Sequence, residues 1–105
     1  MISQTSTPPS LTVQELRVLL AAQCPQLSID TWWLLGTSHC HLCEQAETLI
    51  QQLQTVTPVC YQTLDIATLT EDVMTQFATS IPIILTPTSR LDYPFSVLDL
   101  QQLCE

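Results

Sequence analysis

Apolar positions along the chain change their period several times, and each change marks an element. Thr12-x-x-Glu15 is a capping box, with Leu11 and Leu16 placed to staple the start of a helix. Val13, Leu16, Leu19 and Leu20 then recur at helical spacing until Cys24-Pro25. Trp32-Trp33-Leu34-Leu35-Gly36 is short and almost wholly apolar, the pattern of a strand buried on both faces. Over residues 42–54 helical spacing returns, with Leu42, Ala46, Leu49, Ile50 and Leu53 on one side, and Pro58 bars any continuation. Residues 59–64 read as a second strand, which Asp65-Ile66 leaves. Thr68-x-x-Glu71 opens another helix, with Leu69, Val73, Met74 and Phe77 apolar. A third strand over 81–85 begins beside Pro82, and 91–95 reads as a short edge strand broken by Pro94. Residues 97–103 form a terminal helix.

The predicted order is β-α-β-α-β-β-α behind one extra helix. A helical crossover makes the first two strands parallel, and the remaining two close a small mixed sheet, which places the chain in the α/β class. Residues 1–10, with Pro8-Pro9, read as a mobile tail, and no internal repeat is present. The extra helix is expected to cover part of the domain, with a partner-binding face as the alternative.

At 105 residues the chain is one domain with room for an ordinary core. Ten acidic residues face two basic ones, Arg17 and Arg90, and the formal net charge is −8. Nucleic acid and anionic membrane both demand clustered cations, so neither is an expected partner. The first ten residues lack cations and lead into an amphipathic pattern, not an apolar core. No apolar run reaches the ~18 residues of a membrane span. These features predict a cytoplasmic chain, where a CxxC pair implies catalysis or metal and not a scaffold.

That pair is Cys40-His41-Leu42-Cys43, set between the first strand and the second helix. Cysteines three apart on the first helical turn are close enough to bond to each other. So short a loop makes a poor structural staple, but the positive helix start favours the thiolate, and hence redox chemistry. His39 and His41 are candidate tuning residues that would help further if protonated, whereas Glu44 and Glu47 oppose the thiolate. Metal is the rival chemistry, through the same histidines and cysteines or a shared iron–sulfur cluster. The usual second ligand pair is missing, so no metal site is expected. Cys24, Cys60 and Cys104, scattered singly among the five cysteines, read as small buried hydrophobes. Trp32 and Trp33 alternate across their strand, one for the core and one to pack under a helix.

A strand, a CxxC at a helix start, a βαβ unit and then Ile81-Pro82 before the third strand together resemble the thioredoxin fold. More closely, the chain resembles the glutaredoxin-like DUF836 family. The matching stretches are Leu34-Leu35-Gly36 leading into Cys40-His41-Leu42-Cys43-Glu44-Gln45-Ala46, then Leu64-Asp65-Ile66, Ser80-Ile81-Pro82-Ile83-Ile84-Leu85 and Tyr93-Pro94-Phe95. The likeness spans residues 31–105 and leaves 1–30, the tail and amphipathic helix, outside it. It implies a four-stranded mixed sheet in the order 2-1-3-4, with helices on both faces. It also implies a cis bond at Ile81-Pro82 and a dithiol centre in which Cys40 attacks and Cys43 resolves. Ile81 and Pro82 would bind an extended substrate chain, Ile81 through a free backbone.

The implied function is a small thiol–disulfide oxidoreductase or electron carrier. A non-catalytic protein-binding adaptor on the same fold is the alternative. The implied partners are a protein disulfide substrate or a thioredoxin-type reductant, and the expected chain is a monomer. Glutaredoxins that use glutathione carry a lysine before the first cysteine and a Gly-Gly turn after the third strand. This chain has no lysine and one glycine, and Arg90 is the nearest substitute, so glutathione is expected to be a weak partner and no cofactor is expected. Cys40 should ionise below the ~8.5 of a free thiol, in the upper half of the roughly 3.5–7.5 range of activated helix-start cysteines.

Overall fold

The computed structural model describes residues 12–104; the tail expected over residues 1–10, and the Leu11 half of the staple, lie outside them. Helix α1 (Val13–Gln23) starts at the predicted box, with the Glu15 amide donating to Thr12 Oγ1 at 3.1 Å and the Thr12 amide to Glu15 Oε1 at 2.8 Å. Strand β1 (Trp32–Gly36), helix α2 (His41–Gln54) and strand β2 (Tyr61–Asp65) make the βαβ unit. Helix α3 (Glu71–Thr75), strands β3 (Ile83–Leu85) and β4 (Arg90–Asp92) and helix α4 (Val97–Leu103) complete the order. The sheet runs β2-β1-β3-β4, with β1 parallel to β2 and β3 antiparallel to both β1 and β4. This is the expected thioredoxin-like arrangement.

Strand alternation divides the core in two. Trp33 and Leu35 of β1, with Ile83 and Leu85 of β3, face Leu16 and Leu20 of α1 and Val73 of α3. Trp32 and Leu34, with Ile84, face Ala46 and Ile50 of α2 and Leu100 of α4. The continuous apolar run of β1 is thus explained, since each of its faces meets a helical layer. The extra helix is built into the first of these layers, where Leu20 is fully buried.

Two local expectations are corrected. Thr68-x-x-Glu71 does not cap α3. Asp65 intervenes, its Oδ1 accepting the Ala67 amide at 2.9 Å, and the chain closes one 3-10 turn over Ile66–Thr68. Helix α3 then starts at Glu71 behind Thr70, whose side chain makes no capping bond. Leu42, assigned to the buried side of α2, is 44% exposed, and Cys43 takes the inward position.

β2 begins two residues later than predicted, at Tyr61, and β3 is confined to Ile83–Leu85. β4 ends at Asp92, after which the Tyr93 amide turns across to the Pro82 carbonyl at 3.0 Å. Among the described residues no helix is long and apolar enough to cross a membrane.

Candidate active site

The site forms where β1 ends and α2 begins. Cys40 is the N-cap of α2, in extended backbone, and its Sγ accepts the Cys43 amide at 3.2 Å. The role usually filled by a serine, threonine or aspartate oxygen falls here to a sulfur. The two cysteines are joined as a disulfide with Cα atoms 5.2 Å apart. Cys40 is half-buried at the surface and Cys43 is buried one turn in. His39, just before the pair, has φ 62°, a left-handed conformation uncommon for a residue with a side chain.

Gly36 is the tightest point beneath the pair. A Cβ at this position would stand 2.7 Å from Cys43 Sγ and 3.1 Å from Cys43 Cβ, so only glycine lets the helix start sit this close to the strand end. The antiparallel register pairs Leu35 with Ile83 and, carried one residue further, sets Pro82 across from Gly36. The Ile81-Pro82 bond is cis, as the resemblance implied, and Tyr93-Pro94 is cis as well.

A cleft of about 300 Å³ opens beside the disulfide, between α2 and edge strand β2. Both cysteines, His39, Glu44, Glu47 and Asp65 line it, and no arginine does. Asp65 is occupied by the Ala67 amide on one oxygen and by the Ser38 hydroxyl, at 3.3 Å, on the other. Glu47 Oε2 accepts the Tyr61 hydroxyl at 2.6 Å, and Gln51 donates to that hydroxyl at 3.3 Å. Burial first, and then the bond to Glu47, push the Tyr61 phenol above its ordinary range, so it stays protonated and keeps donating.

Of the residues singled out in the sequence, Cys40, Cys43, His39, Glu44 and Glu47 come together around this cleft. His41 is exposed, and its ring Nε2 lies 3.2 Å from the Gln45 side-chain nitrogen, one turn along the helix. The Ile81 backbone is not wholly free, contrary to expectation. Its amide donates to the Phe77 carbonyl at 3.2 Å, because the turns after α3 fold back onto it. Cys24 is buried as expected, but Cys60 and Cys104 are exposed, since they stand at a strand approach and a helix end and not on inward faces.

Arg90 lies on β4, held by Asp92 through bonds of 2.7 and 3.0 Å. Among the described residues, no three histidine, cysteine, aspartate or glutamate side chains are placed so as to hold a metal ion together. Gly36, Glu47 and Tyr61 were not recognised as a set from the sequence. The usable signals were a lone glycine closing a strand and a glutamate four residues after the second cysteine.

The family model of the glutaredoxin-like domain (DUF836) matches residues 31–104. No curated protein matches the chain. Among solved structures, the X-ray structure of Northeast Structural Genomics target protein XcR50 from X. campestris superimposes with a TM-score of 0.62. It shares 21% sequence identity, and the alignment covers 70% of this chain and 95% of that one. A likeness at that identity establishes the fold and leaves the chemistry to the residues of the site.

Proposed function

Because the chain belongs to the glutaredoxin-like (DUF836) family, we propose that it carries out thiol–disulfide exchange through Cys40 and Cys43. The observation that carries this reading is the Cys43 amide donating to Cys40 Sγ at the first turn of α2. A thiolate accepts that bond more strongly than a thiol does, and the helix start adds its own positive end. Cys40 is thereby the sulfur that ionises, and it is the more exposed of the two.

In the forward direction the Cys40 thiolate attacks one sulfur of a substrate disulfide, and the other sulfur leaves as a thiolate. Cys43 then attacks Cys40 Sγ, releasing the second substrate thiol and closing the Cys40–Cys43 bond. Two electrons pass from the dithiol to the substrate. A dithiol reductant of the thioredoxin type returns the pair to its starting state. Pro82, across from Gly36, and the Ile81 carbonyl are suited to an extended substrate chain, although the engaged Ile81 amide removes one of the bonds such a chain would make.

Glutathione is disfavoured as the partner. Its two carboxylates call for cations, while the cleft offers glutamates and an aspartate, and Arg90 is already paired with Asp92. Fast, saturable turnover of glutathione mixed disulfides would refute that point. The central test is equilibration of the Cys40/Cys43 pair with a defined redox buffer, together with trapping of mixed disulfides on Cys43→Ser. A pair that opens and closes within the cellular range, and a variant that accumulates covalent adducts, are the expected results. A bond that never opens would favour the adaptor reading.

A further inference from the structure

Exchange, as just proposed, requires Cys43 to lose a proton before it can attack, and the cysteines themselves provide nothing to take it. Cys43 is 9% exposed, with Gly36 against its sulfur, and a thiol so enclosed gives up its proton reluctantly. We propose that Glu47, held by Tyr61, is the group that receives the Cys43 proton. The proposal rests on the exchange reading and adds a residue to it.

The ionisable groups that line the cleft with Cys43 come from each element around it. Helix α2 supplies Cys40, Glu44 and Glu47, the loop before it His39, and β2 Asp65, while β1 contributes Gly36. Glu44 is the next residue on the helix, so its side chain leaves at a different angle, and it is exposed. Asp65 already has a donor on each oxygen. His39 is exposed and sits in left-handed backbone outside the helix.

Glu47 differs from all of these. It stands four residues after Cys43 on the same helical strip, where side chains begin about 5–6 Å apart. Both side chains line the same cleft, so a proton can pass from the thiol to the carboxylate through a water held there. Its Oε2 is occupied by the Tyr61 hydroxyl, while Oε1 has no hydrogen bond among the described residues. The series Gln51 to Tyr61 to Glu47 is thus a row of donors ending at a carboxylate with one oxygen to spare.

The step balances without an outside oxidant. The Cys43 proton passes to Glu47, and the thiolate pair forms the bond to Cys40 Sγ. The bond from Cys40 to the substrate sulfur breaks, and that sulfur leaves with the electron pair and takes the proton from Glu47. The reverse reaction uses the same groups in the opposite order.

The sign of the effect separates this role from a bystander's. A carboxylate acting only as a fixed negative charge would oppose the Cys43 thiolate, so removing the charge would speed resolution. A carboxylate that accepts the proton does the opposite. The test uses the full chain with Cys60→Ser and Cys104→Ser, reduced, and 5,5′-dithiobis(2-nitrobenzoate) as the probe disulfide. The first thionitrobenzoate released reports attack by Cys40, and the second reports attack by Cys43.

Glu47→Gln is expected to leave the first release within about twofold and slow the second by about tenfold or more near pH 7. The pH midpoint of the second release should also move upward. Glu47→Asp should recover part of the rate, and Tyr61→Phe should cost a smaller factor. A second release in Glu47→Gln that is unchanged or faster would overturn the proposal. If reduced wild-type chain gives no first release, the exchange reading fails and this inference falls with it.

Discussion

Arg17 and Cys43 are both buried side chains of helices packed on one sheet, Arg17 on the α1 face and Cys43 on the α2 face, and their surroundings are opposite in kind. Arg17 is held by three carbonyls and a ring face. Its guanidinium donates to the carbonyls of Leu85, Ile29 and Thr31 at 2.8–3.1 Å and lies 3.8 Å from the Trp33 ring. It therefore ties α1 and the loop after it to the centre of the sheet. Cys43 is as buried, but it has a disulfide partner and a glycine against it and opens on a cleft that Glu47, with one oxygen unused among the described residues, also lines. A buried polar group held by several partners at once acts as an anchor; one with unused capacity beside a cleft is free to react.

The contrast extends to charge. The chain has two cations, and both serve architecture: Arg17 in the core and Arg90 against Asp92. None lines the cysteine cleft, so the positive end beside Cys40 is the start of α2.

The largest effect expected is from Cys40→Ser, which should bring exchange below detection while leaving thermal unfolding close to wild type. If exchange survives, the cysteine corner is not the reactive pole and the comparison collapses. Arg17→Met should act in the opposite sense. It leaves one buried and two part-buried carbonyls without their donor, for a loss of about 2 kcal/mol in urea unfolding, with the exchange rate of folded molecules unaltered. A change in that rate would mean the anchor and the reactive corner are coupled.

Gly36→Ala touches the boundary between the two roles. The added methyl meets Cys43 Sγ at 2.7 Å, so a cost of about 1–3 kcal/mol is expected, together with altered exchange kinetics. The smallest effect concerns Glu44, in the first turn of α2 beside the thiolate. Absorbance titration of Cys43→Ser should place the Cys40 midpoint below ~8.5, and adding Glu44→Gln should lower it further by a few tenths. A midpoint at the free-thiol value would show that the helix start does not activate Cys40.

Several features were legible because they are written within a few adjacent residues. Thr12 and Glu15 close a capping box from their own side chains, and the apolar run 32–36 reads as a doubly buried strand whatever surrounds it. Cys40 and Cys43 meet because helical spacing brings them together. Where a local pattern failed, a neighbour had outcompeted it, as when Asp65 captured the Ala67 amide and displaced the start expected at Thr68.

Residues far apart in the chain were decided only by tertiary structure. Nothing near Glu47 announces Tyr61, and nothing near Gly36 says that a cysteine sulfur will press against it. An arginine on an amphipathic helix reads as solvated until carbonyls from β3 and from the loop after α1 surround it. The sequence by itself determined the elements, their order and the position of the dithiol at a helix start, because hydrogen bonding and side-chain period within an element are short-range. Which polar groups end up saturated and which keep unused capacity depends on what the packed sheet brings opposite them. That assignment separates the arginine anchor from the cysteine corner, and only the assembled core makes it.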